Sequence, residues 1–162
     1  VFPGKIILSG CGGASNYIGR ELLPIITSEI KIPKEAIISG VKEALNSELY
    51  RKTRGMHKCA LFNLDALLGS TEDIGRHNAL DKVIGKALIQ QHQLNRTFIA
   101  LTGRISAEMI LKCSRSGIPV IASKTSVTSL ALEFARITGL TVIGFATTNT
   151  IRVYTNDFRV SQ

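Results

Sequence analysis

Thr97-Phe98-Ile99-Ala100-Leu101-Thr102 opens a stretch that decides the fold, and two further runs continue it, Pro119-Val120-Ile121-Ala122-Ser123 and Thr141-Val142-Ile143-Gly144-Phe145. Each run is short and apolar without polar alternation, which is how a strand covered on both faces reads. Between them, Ile105 to Arg115 and Val127 to Thr138 carry apolar residues at three- and four-residue spacing and are predicted as helices. Strands alternating with helices imply crossover connections and a parallel sheet with helices packed over it. Ile151-Arg152-Val153-Tyr154 adds a last strand, antiparallel at an edge. The expected fold is α/β, a three-layer α/β/α sandwich around a mixed, largely parallel sheet.

Upstream, Cys59 to Phe62 and Ala66 to Leu68 fit a short strand pair ending at Gly69-Ser70, and a helix beginning near His57 fits the same residues equally well. Pro33 starts a helix predicted to run to about Leu49, with Ile37, Val41, Ala44, Leu45 and Leu49 on its apolar side. Lys5 to Ser9 reads as a strand leading into Gly10-Cys11-Gly12-Gly13-Ala14-Ser15-Asn16, whose glycines allow backbone conformations closed to other residues. Ahead of the deciding stretch lies Glu72-Asp73-Ile74-Gly75-Arg76-His77-Asn78-Ala79-Leu80-Asp81-Lys82-Val83-Ile84-Gly85. It crowds polar side chains into an expected helix start, where Asp73 would cap the first turn. Leu80, Val83, Ile84, Ala87 and Leu88 form the predicted buried stripe of that helix.

The chain has 162 residues, which fits a single domain spanning residues 1–162, and no repeat or low-complexity linker divides it. Twenty basic residues against twelve acidic leave a net charge of +8, which favours anionic partners. No basic run is present and aromatics make up 6%, so the stacking platforms of a single-stranded nucleic-acid binder are not expected. A phosphate-bearing small ligand suits the charge better. No stretch reaches the roughly eighteen apolar residues of a membrane span, and no secretory leader pattern is seen. The three cysteines are widely spaced and odd in number, which argues for a reducing compartment and a cytoplasmic location.

In sheets of this kind ligands bind where strands end and helices begin. Three such loops offer hydroxyls, backbone donors or a cation: Thr102-Gly103-Arg104, Ser123-Lys124-Thr125-Ser126 and Phe145-Ala146-Thr147-Thr148-Asn149-Thr150. As a set they point to a nucleotide-like ligand, although neither a P-loop nor a dinucleotide fingerprint is present. Cys11, between glycines, is the best nucleophile candidate, because neighbouring N–H groups stabilise a thiolate. Cys59 and Cys113 fall in apolar contexts and are expected to be core residues. His57 and Cys59 have a spacing that admits two metal ligands, yet a catalytic zinc takes three and no C-x-x-C pair exists, so no metal site is expected. His57 and His77 are candidates for proton transfer or phosphate contact, and His92 is expected at the surface.

The run from Glu72 to Gly85 resembles the hallmark of the FdhD/NarQ family, the formate dehydrogenase accessory sulfurtransferases. Thr53-Arg54-Gly55-Met56-His57-Lys58-Cys59-Ala60-Leu61 is similar to the family's T-G-G-x-H-x-A-A-L segment, and Thr102-Gly103-Arg104-Ile105-Ser106-Ala107-Glu108-Met109 to its S-G-R-x-S-x-E-M segment. Gly117-Ile118-Pro119-Val120 and Gly144-Phe145 to Tyr154-Thr155 extend the likeness over nearly the whole chain. The resemblance implies a cytidine-deaminase-like fold and a homodimer. It also implies a sulfurtransferase that takes persulfide sulfur from a cysteine desulfurase and passes it to the molybdenum or tungsten of a bis(molybdopterin guanine dinucleotide) cofactor, bound as substrate, for apo formate dehydrogenase. By the family pattern Cys11 carries the persulfide. Phe145, Ala146, Thr147, Thr148, Asn149 and Thr150 contact the guanine dinucleotide, and Arg76 and His77 line the cofactor cavity. The family's C-G-x-C becomes Cys11-Gly12-Gly13-Ala14 here, which requires a one-cysteine mechanism or reduces activity, and which leaves room for a rival reading, a noncatalytic chaperone that delivers the pterin without handling sulfur. Thr147-Thr148-Asn149-Thr150 stands where the family has a glycine-rich segment, and the family's portion ahead of the cysteine loop has no counterpart in these residues.

Overall fold

The computed structural model describes residues 23–64 and 66–162. The predicted strand from Lys5 to Ser9 and the glycine loop bearing Cys11 lie outside the described residues. The three deciding runs are strands β4 (Phe98–Leu101), β5 (Val120–Ser123) and β6 (Thr141–Gly144), all fully buried. They pair in parallel, Phe98 opposite Val120 and Val120 opposite Thr141. The uncertain segment around Cys59 is a hairpin rather than a helix, with β2 (His57–Phe62) antiparallel to β3 (Leu67–Asp73) and to β4. The last strand, β7 (Arg152–Thr155), runs antiparallel to β6 at the edge, as expected. The sheet order is β3-β2-β4-β5-β6-β7, so parallel pairing is confined to the centre.

Alternation along the strands sorts the core into two layers. Cys59, Leu61, Ile99, Leu101, Ile121 and Val142 pack on helices α3 (Arg76–Ile89), α4 (Ala107–Arg115) and α5 (Ser129–Thr138). Phe98, Ala100, Val120, Ala122 and Ile143 face the other way, onto Ile37, Val41 and Ala44 of α1 (Lys34–Leu45). Helices therefore cover both faces, three on one side and α1 on the other. A side chain at Gly40 would place its Cβ 2.8 Å from the Phe98 ring, so the glycine lets α1 settle directly on β4.

Three expectations need correction. The helix from Pro33 does not reach Leu49: α1 ends at Leu45 and a separate turn, α2 (Glu48–Thr53), begins after Ser47, whose hydroxyl accepts the Tyr50 N–H at 2.8 Å. The break is held from a distance, because Lys58 Nζ donates to the carbonyls of Glu43 at 3.2 Å and Asn46 at 2.9 Å. Leu45 and Leu49 are exposed as a result. Strand β3 does not stop at Gly69-Ser70 but continues to Asp73, so the polar run starts in a strand and α3 begins only at Arg76. Leu88 is 57% exposed, and Ala79 takes the buried place beside Leu80, Val83, Ile84 and Ala87.

A small parallel pair, β1 (Ile32–Pro33) with β8 (Val160–Ser161), closes the α1 side. Next to it Arg159, 2% exposed, donates to the carbonyls of Ser28 at 2.7 Å and Gly139 at 2.6 Å and to Thr141 Oγ1 at 3.1 Å.

Candidate functional site

Antiparallel pairing of β2 with β4 places the start of β2 at the carboxyl end of β4, and pairing with β3 brings the end of β3 beside it, His57 opposite Asp73. The ends of β5 and β6 share that edge. Segments more than forty residues apart thus meet there: the Lys58 N–H donates to Thr102 Oγ1 at 3.1 Å, and the Thr102 N–H to the Lys58 carbonyl at 3.1 Å.

At the centre lies Gly103. A Cβ there would sit 3.2 Å from Arg76 Cβ and Cδ and 3.2 Å from His57 Nδ1, so the backbone passes between the first residue of α3 and the first residue of β2. His57 Nδ1 also lies 3.5 Å from Thr102 Oγ1. Arg76 Nε is buried and has no hydrogen-bond partner among the described residues. A guanidinium donor left unsatisfied in a buried place is costly unless an acceptor reaches it.

His77 Nε2 is 2.9 Å from Ser106 Oγ and 4.0 Å from Glu108 Oε2, which joins the start of α3 to that of α4. Hydroxyl and carboxylate face the same ring nitrogen, so this is not the relay of a serine hydrolase, in which the acid holds the opposite nitrogen. Burial, and then the Arg76 charge, hold His77 and His57 below the ordinary histidine range; Glu108 opposes the shift at His77. Both rings are therefore neutral near pH 7 and offer one donor and one acceptor each.

Asp73 organises the entry to α3. Its Oδ1 accepts the Gly75 N–H at 2.8 Å and Asn78 Nδ2 at 3.2 Å, and its Oδ2 accepts Lys82 Nζ at 2.5 Å. The Lys82 bond, followed by the Gly75 N–H, lowers its pKa to about 2. The N-cap position itself is Gly75, so Asp73 stands two residues ahead of it and ties down the turn into the helix.

The loops after β4 and β5 run side by side, with Ile105 bridged in parallel to Val127 and the Ile105 N–H donating to the Ser126 carbonyl at 3.1 Å. Ser123 Oγ donates to the Gly103 carbonyl at 2.7 Å and accepts the Thr125 N–H at 3.1 Å. This hydroxyl is engaged with the backbone on both sides, so Ser123 holds the loops together. Beyond β6 the chain turns sharply: Phe145 has φ +48°, a left-handed conformation rare for a bulky residue, and its N–H donates to the Thr125 carbonyl at 3.1 Å. The turn lifts the Phe145 ring into solvent, 5.5 Å from the Arg152 guanidinium, while Ala146 is buried. Thr147 to Thr150 close on themselves, the Thr147 N–H donating to the Thr150 carbonyl at 2.8 Å and Thr147 Oγ1 accepting the Thr150 N–H at 3.1 Å. A threonine hydroxyl thus holds the turn where a glycine-rich segment was the family expectation.

The structure brings Arg76 and His77 to the sheet edge that also carries Phe145 to Thr150, but on opposite sides of it: Arg76 and His77 belong to the three-helix side, whereas Ala146 packs in the layer of α1. Cys11 lies outside the described residues. Cys59 and Cys113 are buried free thiols. Among the described residues no group of three His, Cys, Asp or Glu is placed to hold a metal ion, and no helix is long and apolar enough to cross a membrane. Ile38 and Lys42 of α1 went unnoticed in the sequence. They line a cavity with Ala146, Thr147 and Thr148, and an isoleucine and a lysine on a helix carry no signal of that in the sequence.

An α/β/α sandwich with its polar and ionisable groups gathered at the carboxyl edge of the strands places this chain in the class of open-sheet α/β proteins, the class whose ligands bind outside that edge. A family model described as the FdhD/NarQ family matches residues 2–161, and the chain belongs to that family. It is 36% identical to the sulfur carrier protein FdhD of Wolinella succinogenes over 99% of this chain and 57% of that protein. It is 35% identical to the protein of the same name from Bacillus subtilis over 98% of this chain and 62% of that one. The chain thus spans about three fifths of the length of these relatives. A crystal structure described as that of a candidate formate dehydrogenase accessory protein from Desulfotalea psychrophila superimposes with a TM-score of 0.79 at 37% identity, covering 88% of this chain and 61% of that one.

Proposed function

We propose that this protein is a sulfur carrier that takes persulfide sulfur from a cysteine desulfurase and passes it to the metal of a bis(molybdopterin guanine dinucleotide) cofactor destined for formate dehydrogenase. The observation that carries the reading is the meeting of His57, Arg76 and the loop from Gly103 to Ser106, three separate segments, at the strand-end edge that also bears Phe145, in a chain whose relatives are named sulfur carriers.

In this reading Cys11 thiolate attacks the outer sulfur of the donor's persulfide, the donor's cysteine leaves as thiolate, and Cys11 then holds the sulfur as a persulfide anion. Arg76, with an unpartnered buried Nε, and the neutral rings of His57 and His77 face the anionic cofactor substrate, while Phe145 to Thr150 contact its guanine dinucleotide. The substitution of alanine at position 14 for the family's second loop cysteine favours one other reading, a chaperone that binds the pterin without carrying sulfur. Incubation with a cysteine desulfurase and cysteine, followed by intact-mass measurement, separates the two. Added sulfur on Cys11 is expected of the carrier and none of the chaperone. Guanosine diphosphate binding, weakened by Thr148→Ala and Asn149→Ala, checks the cofactor contact independently of sulfur.

A further inference from the structure

Arg76 is held in place without an acidic partner. Among the described residues no carboxylate lies within ion-pair distance of its guanidinium, and its buried Nε meets no acceptor. Two things remain to fix it, the loop after β4 on one side and the turn out of β3 on the other. From the loop, Gly103 comes so close that a Cβ there would lie 3.2 Å from both Cβ and Cδ of Arg76. In the turn, Ile74 is 78% exposed, so no packed side chain holds the backbone between Asp73 and Arg76.

Asp73 supplies that hold. Its Oδ1 accepts the Gly75 N–H at 2.8 Å, and the Gly75 carbonyl accepts the Ala79 N–H at 3.0 Å. The residue ahead of Arg76 is thus tied both to the end of β3 and to the first turn of α3. The other carboxylate oxygen is taken by Lys82 Nζ at 2.5 Å, so the charge of Asp73 is spent on Lys82 and not on Arg76. A carboxylate bonded directly to the guanidinium would orient it and also neutralise it. One that acts through the backbone orients it and leaves its charge for an anion from outside.

We propose that Asp73 is a positioning residue for the sulfur-transfer site, which fixes through the Gly75 N–H the turn that sets the Arg76 guanidinium against Gly103 and His57. The proposal rests on the reading that Arg76 faces the anionic cofactor substrate.

The two histidines report where that guanidinium stands. Among the described residues the charge that reaches His57 is Arg76, and those that reach His77 are Arg76, Glu108 and Lys112 of α4 and Asp81 of α3. Asp73 is not among them, and loss of a carboxylate can only lower a histidine midpoint, so a rise reports displacement of Arg76. In nuclear magnetic resonance titration of Asp73→Ala both midpoints should rise toward those of Arg76→Gln. Asp73→Asn, which keeps an oxygen for the Gly75 N–H, and Lys82→Ala should leave both where they are. If Asp73→Ala does not fold, Asp73→Glu takes its place with the same expectation, because it keeps the charge and carries the carboxylate one methylene too far for that bond. Unmoved midpoints beside a lowered melting temperature would make Asp73 a stabiliser of the helix start alone and overturn the proposal.

Formate dehydrogenase activity in cells with this chain as their sole carrier gives the second readout. It should fall about tenfold in Asp73→Ala and in Arg76→Gln and return in Asp73→Asn, as expected of a displaced contact group. Full activity in Asp73→Ala beside its loss in Arg76→Gln would overturn the proposal alone. Full activity in Arg76→Gln would overturn the reading on which it rests.

Discussion

Burial disarms two of the three thiols. Cys59 and Cys113 are 1% and 0% exposed, and burial pushes both well above the usual thiol range, Cys113 to about 12. Nucleophilic chemistry runs through the thiolate, so neither can carry sulfur at neutral pH. In native conditions iodoacetamide should leave both unmodified, and labelling of either before unfolding would contradict their burial. The two histidines make a second test at this scale. Since their folded pKa values lie below 6.5, the unfolded chain binds those protons first; the stability difference is complete above about pH 6.5 and is lost as pH falls through the folded values. Arg76→Gln removes a charge that lowers both, so nuclear magnetic resonance titration should show the His57 and His77 midpoints rising together. Unmoved midpoints would separate Arg76 from the rings.

The central strands were legible as elements because short, nearly unbroken apolar runs such as Phe98 to Leu101 and Val120 to Ser123, set between helical patterns, are how strands buried on both faces read. The end of α1 was not, because the group that holds its last carbonyls is Lys58, brought by another strand. The extent of β3 was hidden for a related reason: Thr71, Glu72 and Asp73 are polar, and they stay in the strand because Cys59, Lys58 and His57 pair with them across the hairpin. Local composition cannot report such a partner. The site was legible in part. Arg76, His77 and the loop from Phe145 to Thr150 stood out by residue type, whereas the approach of Gly103 to Arg76 and His57 comes only from sheet topology. The turn after β6 rests on Gly144, where a Cβ would lie 2.9 Å from Val127 Cγ2, 3.0 Å from the Tyr154 ring and 3.2 Å from the Thr125 carbonyl oxygen. Gly144→Ala should therefore lower stability by about 1–3 kcal/mol in chemical denaturation, as overpacking does. A neutral effect would mean that the edge tolerates rearrangement.

Across the whole molecule the buried guanidinium of Arg159 joins parts far apart in sequence: the Ser28 carbonyl ahead of α1, the Gly139 carbonyl after α5 and the Thr141 hydroxyl in β6. Arg159→Ala would leave those acceptors unpaired in a dry place, and a loss of about 2–4 kcal/mol of unfolding free energy is expected, measurable in urea. A loss well under 1 kcal/mol would show that water replaces the side chain. This staple also steadies the layer to which α1 belongs, and with it the cavity over Ala146. The account as a whole turns on sulfur. Intact-mass and peptide mapping after incubation with a cysteine desulfurase and cysteine should show the mass of added sulfur on the peptide containing Cys11, kept in Cys59→Ser and Cys113→Ser and lost in Cys11→Ser. No added sulfur, or undiminished loading in Cys11→Ser, would contradict it.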